Sequence, residues 1–530
     1  MRTERAANAI GVRGTALVGL LWLMPLPLAS NRIWLVDLWL VGVLALALAE
    51  IWSDKAALRR GWWRGVPRGL RAHMALMLAW VLLVALQLVP LPLALRNALA
   101  GTAGPALPVV HDGFAPLSID PYATSGYLAK AVLLLLVQWL LLRRFDNRPR
   151  LAKLVWSWLA IGAAEALAAV VLYATASTYM LFFVTVYQGL HGTGTFVYHN
   201  QFAGYMELML ALGIGWMIAL LGRDAVADRR GGAVGALFAV LRLLNSSKAP
   251  LRVLLVLFVV GLIISRSRMG NAAFFVALWL VGSALLFALH RRGAAAARVA
   301  KAVAVLMISI FVIDVAIVGD VVGIDKVMQR IERTHLSNRP AAPGAARPVH
   351  REQSVDQRIA PGMSALGMLR DHPLFGTGGG TFFLGFMPYR PSNVTGYYQH
   401  AHDDYVEFLV ENGIIGVIPL VALLLWSQRR GWSLLLARDA SGFERGLAFA
   451  SVMGVTELLL HATVDFNLQN PTNAMLFLWL LALPHWLDAR RQRRAARTGE
   501  DRKRSFCNNQ AQMMCGRDSA GANDHGVVGV

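Results

Sequence analysis

L-R-V-L-L-V-L-F-V-V-G-L-I-I-S-R-S-R-M-G-N-A-A-F-F-V-A-L-W-L-V-G-S-A-L-L-F-A-L, residues 251–289, decides the fold. Two apolar runs, 251–265 and 270–289, flank a turn that holds Arg266 and Arg268. About 20 apolar residues cross a hydrocarbon core as helix, so the stretch predicts two membrane helices joined by a tight turn. Working outward, the same kind of run recurs at 14–30, 34–52, 73–95, 126–142, 152–174 and 201–221, and again at 300–319, 409–427, 446–464 and 473–488. The 530-residue chain is 56% apolar and only 15% charged. Only helices or closed barrels satisfy their backbones in lipid. The expected fold is an all-α polytopic membrane protein with about 12 transmembrane helices and one large loop on the outer face.

A net charge of +20 could suggest nucleic acid as a partner. The distribution of Lys and Arg argues otherwise, because they fill alternate loops as the positive-inside rule requires. Lys55, Arg59, Arg60 and Arg64 fill the second loop, Arg143, Arg144, Arg148 and Arg150 the fourth, and Arg291, Arg292 and Arg298 the eighth. Arg32 and Arg96 are isolated exceptions in the intervening loops. Both termini are then expected in the cytoplasm, with membrane lipids and not nucleic acid around the chain. The first span has the basic lead of a signal peptide but no strong cleavage site, so it is expected to be retained. Cys507 and Cys515 lie in the tail, where the reducing compartment gives no disulfide.

Four regions follow: 1–319 with spans one to nine, the outer loop 320–408, spans ten to twelve over 409–489, and a basic tail, 490–530, expected to be disordered. Within the loop, 337–350 reads as flexible, 357–370 as an amphipathic helix, and Asp371-His372-Pro373 as a turn. A second outer loop, 96–125, reads as irregular, and 233–246 as an interfacial helix on the inner face. No internal repeat is evident, which counts against many transporter folds.

Arg266 and Arg268 sit on the outer side, against the positive-inside bias. Mis-sided charge at a membrane is a functional hypothesis by default, weighed against snorkelling. Guanidinium forks suit phosphate oxygens, and Arg358 in the outer loop adds a third cation on that face. Several arginines can neutralise a pyrophosphate without a metal.

His400-Ala401-His402-Asp403-Asp404-Tyr405 opens span ten. Asp403 or Asp404 can cap the helix, Gly413 breaks or closes its first segment, and His402 and Tyr405 at three-residue spacing would share a face. A histidine oriented by a carboxylate is a plausible general base, against the plainer reading of polar caps. The histidines could also offer metal ligands, but no D-D-x-x-D cluster accompanies them, so no metal or other cofactor is expected. Gly376-Thr377-Gly378-Gly379-Gly380 resembles a phosphate cradle only weakly and reads as a backbone-exposed turn near the site. His199 and Asn200 open span six, with Asn200 a cap or a sugar contact. Asp465, at the outward end of span eleven, is expected to partner an arginine. Lys130 and Glu165 are the charged residues noted near span centres.

In order along the chain, G-T-F-V-Y-H-N-Q-F-A, then S-R-S-R, then R-I-A-P-G-M-S-A-L from Arg358, then D-H-P-L-F-G-T-G-G-G-T-F, then H-D-D-Y-V-E-F-L-V-E-N-G-I-I-G, then H-A-T-V-D-F-N-L-Q-N-P-T-N resemble the O-antigen ligase and O-antigen polymerase superfamily. The likeness covers roughly 190–490. It implies a metal-independent, inverting glycosyltransferase of the bacterial inner membrane, working at the periplasmic face. Glycan would pass from an undecaprenyl-diphosphate carrier to a hydroxyl acceptor. The resemblance further implies that Arg268 and Arg358 hold the diphosphate and that His402 serves the acceptor hydroxyl, with Arg266, His199, Asn200, Asp403, Tyr405 and Asp465 as further binding residues. Two positions depart from the family pattern: His191 and His199 stand where an arginine often precedes the Asn, and Asp403 follows the histidine where Asn is frequent. Lipid A-core, a second repeat unit and a protein hydroxyl compete as acceptors, with lipid A-core favoured. Outside the class, a lipid-linked glycan transporter is the alternative.

Overall fold

The computed structural model describes residues 10–53, 67–100, 110–176, 179–180, 183–184, 191–221, 248–290, 294–317, 355–392 and 398–494. Each of the twelve apolar runs falls on a helix. In chain order the helices are α1 Gly11–Leu23, α2 Ile33–Ser53, α3 Arg68–Leu86, α4 Leu93–Ala100, α5 Pro121–Arg144, α6 Arg148–Ala174, α7 His199–Leu221, α8 Ala249–Ile264, α9 Arg268–His290, α10 Ala294–Ile317, α11 Val355–Asp371, α12 Phe382–Phe386, α13 Asp404–Leu436 and α14 Gly442–His461. A last helix, α15, covers 471–494. Seven of these (α2, α3, α5, α6, α7, α9 and α13) are long and apolar enough to cross a membrane, and α1, α8 and part of α10 are shorter apolar helices. The chain is an all-α membrane protein.

Local sequence sets the helix starts. Asp120 accepts from the N–H groups of Tyr122 and Ala123 at 3.1 Å ahead of Pro121, opening α5. Asn147 does the same for α6 through Arg150 N at 3.0 Å. Ser441 and Glu444 form a reciprocal capping box at α14. The loop 96–125 is more regular than expected. It begins in α4, and after it a two-residue strand, β2 Phe114–Ala115, pairs antiparallel with β1 Leu91–Pro92. The core is the pair α7 and α14, packed along their length and enclosed by α6, α8, α9 and α15.

The break foreseen at Gly413 has a structural purpose. Gly413 takes φ +66°, ψ 178° inside α13, which frees backbone groups on both sides. The segment after α11 enters the gap. Ile414 and Ile415 donate to the carbonyls of Pro373 and Leu374 at 2.9 and 3.0 Å, while Thr377 and Gly378 donate to those of Val410 and Glu411 at 3.0 and 2.9 Å. Gln87, from the end of α3, donates to the carbonyls of Phe375 and Glu411 and accepts from Gly379. Thus every freed group named here has a partner, as buried backbone requires.

This overturns the reading of Gly376–Gly380 as a backbone-exposed turn. The stretch 375–379 is buried, and the N–H groups of Gly376 to Gly379 are spent on the His372 carbonyl, α13 and Gln87 instead of facing a ligand. The helix expected over 357–370 is α11. The flexible stretch 337–350, the interfacial helix 233–246, the two cysteines and the tail beyond 494 lie outside the described residues.

Candidate functional site

Ser265–Ser267 forms the turn between α8 and α9. Ser267 Oγ accepts from Gly270 N at 3.2 Å, capping α9, so Arg268 becomes its first residue and is exposed. Arg266 adopts φ +55°, uncommon for a non-glycine residue. Its guanidinium donates to the Tyr173 hydroxyl at 3.0 Å and lies 5.8 Å from that ring's centre. The turn therefore projects two arginines at one end of the bundle, with Tyr173 fixing the first.

The start of α7 docks against this turn. His199 Nδ1 lies 3.0 Å from the Ser265 carbonyl, Gly192 N donates to the Ile264 carbonyl at 2.8 Å, and the His191 and His199 rings stack at 4.3 Å. His191 and His199 thus sit together beside the arginine turn. Asn200 lies inside the first turn of α7 and is nearly buried, so it does not precede the helix as a cap would. The adjoining loop is held from below by Glu165, whose carboxylate receives Thr195 N at 3.0 Å and lies 2.9 Å from its hydroxyl. That gives Glu165 an architectural role.

The histidine loop precedes α13. His402 takes φ +54° and precedes α13. It therefore does not share a helix face with Tyr405, as three-residue spacing alone suggested. Phe466 organises the loop: His400 stacks on it at 4.4 Å, and His402 meets it edge-on at 5.0 Å. Tyr398 closes the other side of His402 at 5.8 Å. Glu407, a residue not singled out from the sequence, pins the loop by contacting His400 Nδ1 at 2.7 Å and receiving Ala401 N at 2.8 Å. Asp403 is the cap, accepting from Tyr405 N and Val406 N at 2.9 and 3.1 Å. Burial raises its carboxyl above the ordinary range, while the two N–H bonds pull it back down. Asp404 faces inward and accepts from Leu468 N at 2.8 Å. Tyr405 is exposed, and its hydroxyl donates to the Leu459 carbonyl at 2.9 Å.

Asp465 joins the two halves. Its carbonyl and that of Ala462 receive Asp404 N at 3.2 and 3.0 Å, and its buried carboxylate accepts from Phe466 N at 2.9 Å. Phe466 in turn meets Tyr198, next to His199, at 5.3 Å. Beneath lies a pair that sequence reading missed: His461 Nδ1 contacts Glu207 Oε1 at 2.7 Å, both fully buried, and His461 Nε2 lies 3.4 Å from Ser267 Oγ. An acidic residue within span six was the available signal.

The arginine turn, the start of α7, the 461–470 turn and the His400–Tyr405 loop thus form one connected cluster at one end of the bundle. It contains Arg266, Arg268, His199, Asn200, His402, Asp403, Tyr405 and Asp465. Arg358 lies on α11, with its side chain outside the described residues. Among the described residues, no group of three or more His, Cys, Asp or Glu is placed to hold a metal ion.

Residues 253–421 match the family model described as O-antigen ligase. The match spans Arg266, Arg268, Arg358 and His402, and leaves His199, Asn200 and Asp465 outside. No curated protein matches the chain.

Proposed function

We propose that this chain transfers glycan from an undecaprenyl-diphosphate carrier to a hydroxyl acceptor, lipid A-core first, at the periplasmic face of a bacterial inner membrane, a reading supported by the match of residues 253–421 to the O-antigen ligase family model. The observation that carries this reading is the cluster itself. A two-arginine turn and a histidine loop, both inside the matched segment, are joined at one end of the bundle through His199, Tyr198 and Phe466.

The chemistry follows from the groups present. Arg268 and Arg358, aided by Arg266, hold the diphosphate oxygens and stabilise the negative charge that grows as the sugar C1–O bond breaks. His402 takes the proton from the acceptor hydroxyl as its oxygen attacks C1 from the opposite face, which inverts the anomeric centre. Guanidinium charge does the electrostatic work, so the reaction proceeds without a divalent metal. His199, Asn200, Asp403, Tyr405 and Asp465 shape the pocket around carrier and acceptor.

The test is transfer in proteoliposomes holding the purified protein and undecaprenyl-diphosphate-linked glycan. The expected result is transfer that persists with chelator and falls at least about a hundredfold in His402→Ala, the usual scale for losing a general base, and in Arg268→Ala. Parent-level transfer in both variants overturns the assigned site. The acceptor in the product distinguishes ligase, polymerase and protein O-glycosylation, and movement of lipid-linked glycan without transfer makes the chain a transporter.

A further inference from the structure

The other end of the bundle holds a cavity that glycan transfer does not use. α7 and α14 carry His199 and His461 at the candidate site and end, about 30 Å away along their axes, at Leu221 and Gly442. There a cavity of about 250 Å³ is lined by Arg148 at the start of α6, Ala219, the turn Ser441–Glu444, and Arg490 and Arg494 on α15. Two cations gather on one ring: the guanidinium carbons of Arg148 and Arg490 lie 4.4 and 5.3 Å from the centre of Phe443. The carboxylate in the lining, Glu444, is already engaged, receiving Nε and Nη2 of Arg491 at 3.0 and 3.2 Å and Ser441 N at 2.8 Å. Three arginines and one carboxylate thus line the cavity, and that carboxylate receives a fourth arginine, Arg491. Among the described residues, Nη1 of Arg490 is buried with no hydrogen-bond partner. A buried donor left unmet is costly, and an anion with several oxygens would satisfy it and relieve the repulsion between the guanidiniums.

Position selects the kind of anion. The cavity sits where four apolar helices end and arginines begin, the depth at which phospholipid headgroups lie. Phe443 and Trp486, 5.9 Å from Arg490, offer aromatic surface of the type found at membrane interfaces. Basic pockets between helices on this kind of face suit anionic headgroups. We propose that the cavity between the ends of α6, α7, α14 and α15 binds the phosphate headgroup of an anionic membrane phospholipid, held by Arg148, Arg490 and Arg494.

The full-length protein in detergent would be titrated with phosphatidylglycerol, with phosphatidylcholine and with inorganic phosphate in separate arms. Thermal unfolding and native mass spectrometry would report binding. Phosphatidylglycerol is expected to be retained and to raise the unfolding temperature, with binding weakened roughly fivefold for each arginine removed in Arg490→Gln and Arg148→Gln/Arg490→Gln. Arg429→Gln, an exposed arginine near the same end of α13, is expected to bind like the parent. Equal loss in Arg429→Gln would mean diffuse attraction and overturn the site. So would a full shift from inorganic phosphate alone, or parent-like retention in the double variant. Should the double variant not fold, Arg494→Gln is expected to show the several-fold loss, and unchanged retention there also overturns the proposal.

Discussion

α2 and α7 are comparably apolar, and each is long enough to cross a membrane, yet 33% of one and 89% of the other is buried inside the protein. α2 turns Trp34, Leu38, Val41, Leu48 and Trp52 outward. α7 turns almost nothing outward and carries Gly204, Gly213 and Gly215 together with Asn200, Gln201 and Glu207. Lipid is as apolar as leucine, so burial among helices is driven by close packing of small residues and by interhelical hydrogen bonds. Hydropathy separates membrane from water. Small and polar residues separate the centre of the bundle from its lipid-facing rim, and the candidate site is built on the end of the central helix.

The sharpest way to break this contrast is to remove the close approach. A Cβ on Gly215 would come 2.6 Å from that of Ala450 in α14, and Gly446 meets α7 in the same way from the other side. Gly215→Leu is expected to prevent assembly of the α7–α14 pair, a loss above about 4 kcal/mol, read as loss of the monodisperse peak in gel filtration. Leu48→Ala on the exposed face of α2 should change the unfolding temperature little. Similar damage from both would show that α7 is no more central than α2.

The next effect is electrostatic. Glu207→Ala strands His461 in a fully buried position, and breaking a buried pair costs about 3–5 kcal/mol. Glu207→Gln keeps an oxygen toward His461 Nδ1 and should cost less. Asp37→Ala, at an exposed position on α2, should stay within about 0.5 kcal/mol of the parent. Equal thermal stability of Glu207→Ala and the parent would remove the pair from the account.

A smaller loss is expected at the break in α13. Gly413→Ala puts a Cβ on a residue at φ +66°, ψ 178°, a region essentially only glycine adopts, at about 1–3 kcal/mol, and crowds Gly376 N and the Leu374 carbonyl. The 373–378 segment should loosen, seen as faster proteolysis there. Unchanged cleavage would mean that the segment does not depend on the gap.

What was legible in the sequence follows the range of the interactions. The helices on the apolar runs, the Asp403 cap and the break at Gly413 rest on runs, caps and glycine, all local. The role of Gly376–Gly380 was not legible, because its partner Gln87 is 292 residues away from Gly379. Nor was Glu407: it stands in the quoted motif, but only the left-handed turn at His402 folds the loop back over it. Asp404 was offered as an alternative cap, and its inward direction depends on Leu468, from another part of the chain. His461 and Glu207 could each be seen, but their pairing required knowing that α7 and α14 are neighbours.

The finest distinction lies at Asp403, where a lipid-facing helix meets the site. Its side chain caps α13, so Asp403→Ala should cost about 1 kcal/mol, whereas Asn caps as well as Asp. Burial raises the carboxyl in the folded protein above its value in the unfolded chain. Below both values the group is protonated in both states and contributes no pH dependence. As pH rises between them, the unfolded chain releases its proton first, so stability falls across that window and then levels off above the folded value. Asp403→Asn lacks this titration. The stability of the parent relative to Asp403→Asn is therefore expected to decline with rising pH over the acidic range and stay flat near neutrality, by thermal unfolding at a series of pH values. Parallel curves would mean that Asp403 is as well solvated as in the unfolded chain, and its cap would then be no different from one on the open rim of the bundle.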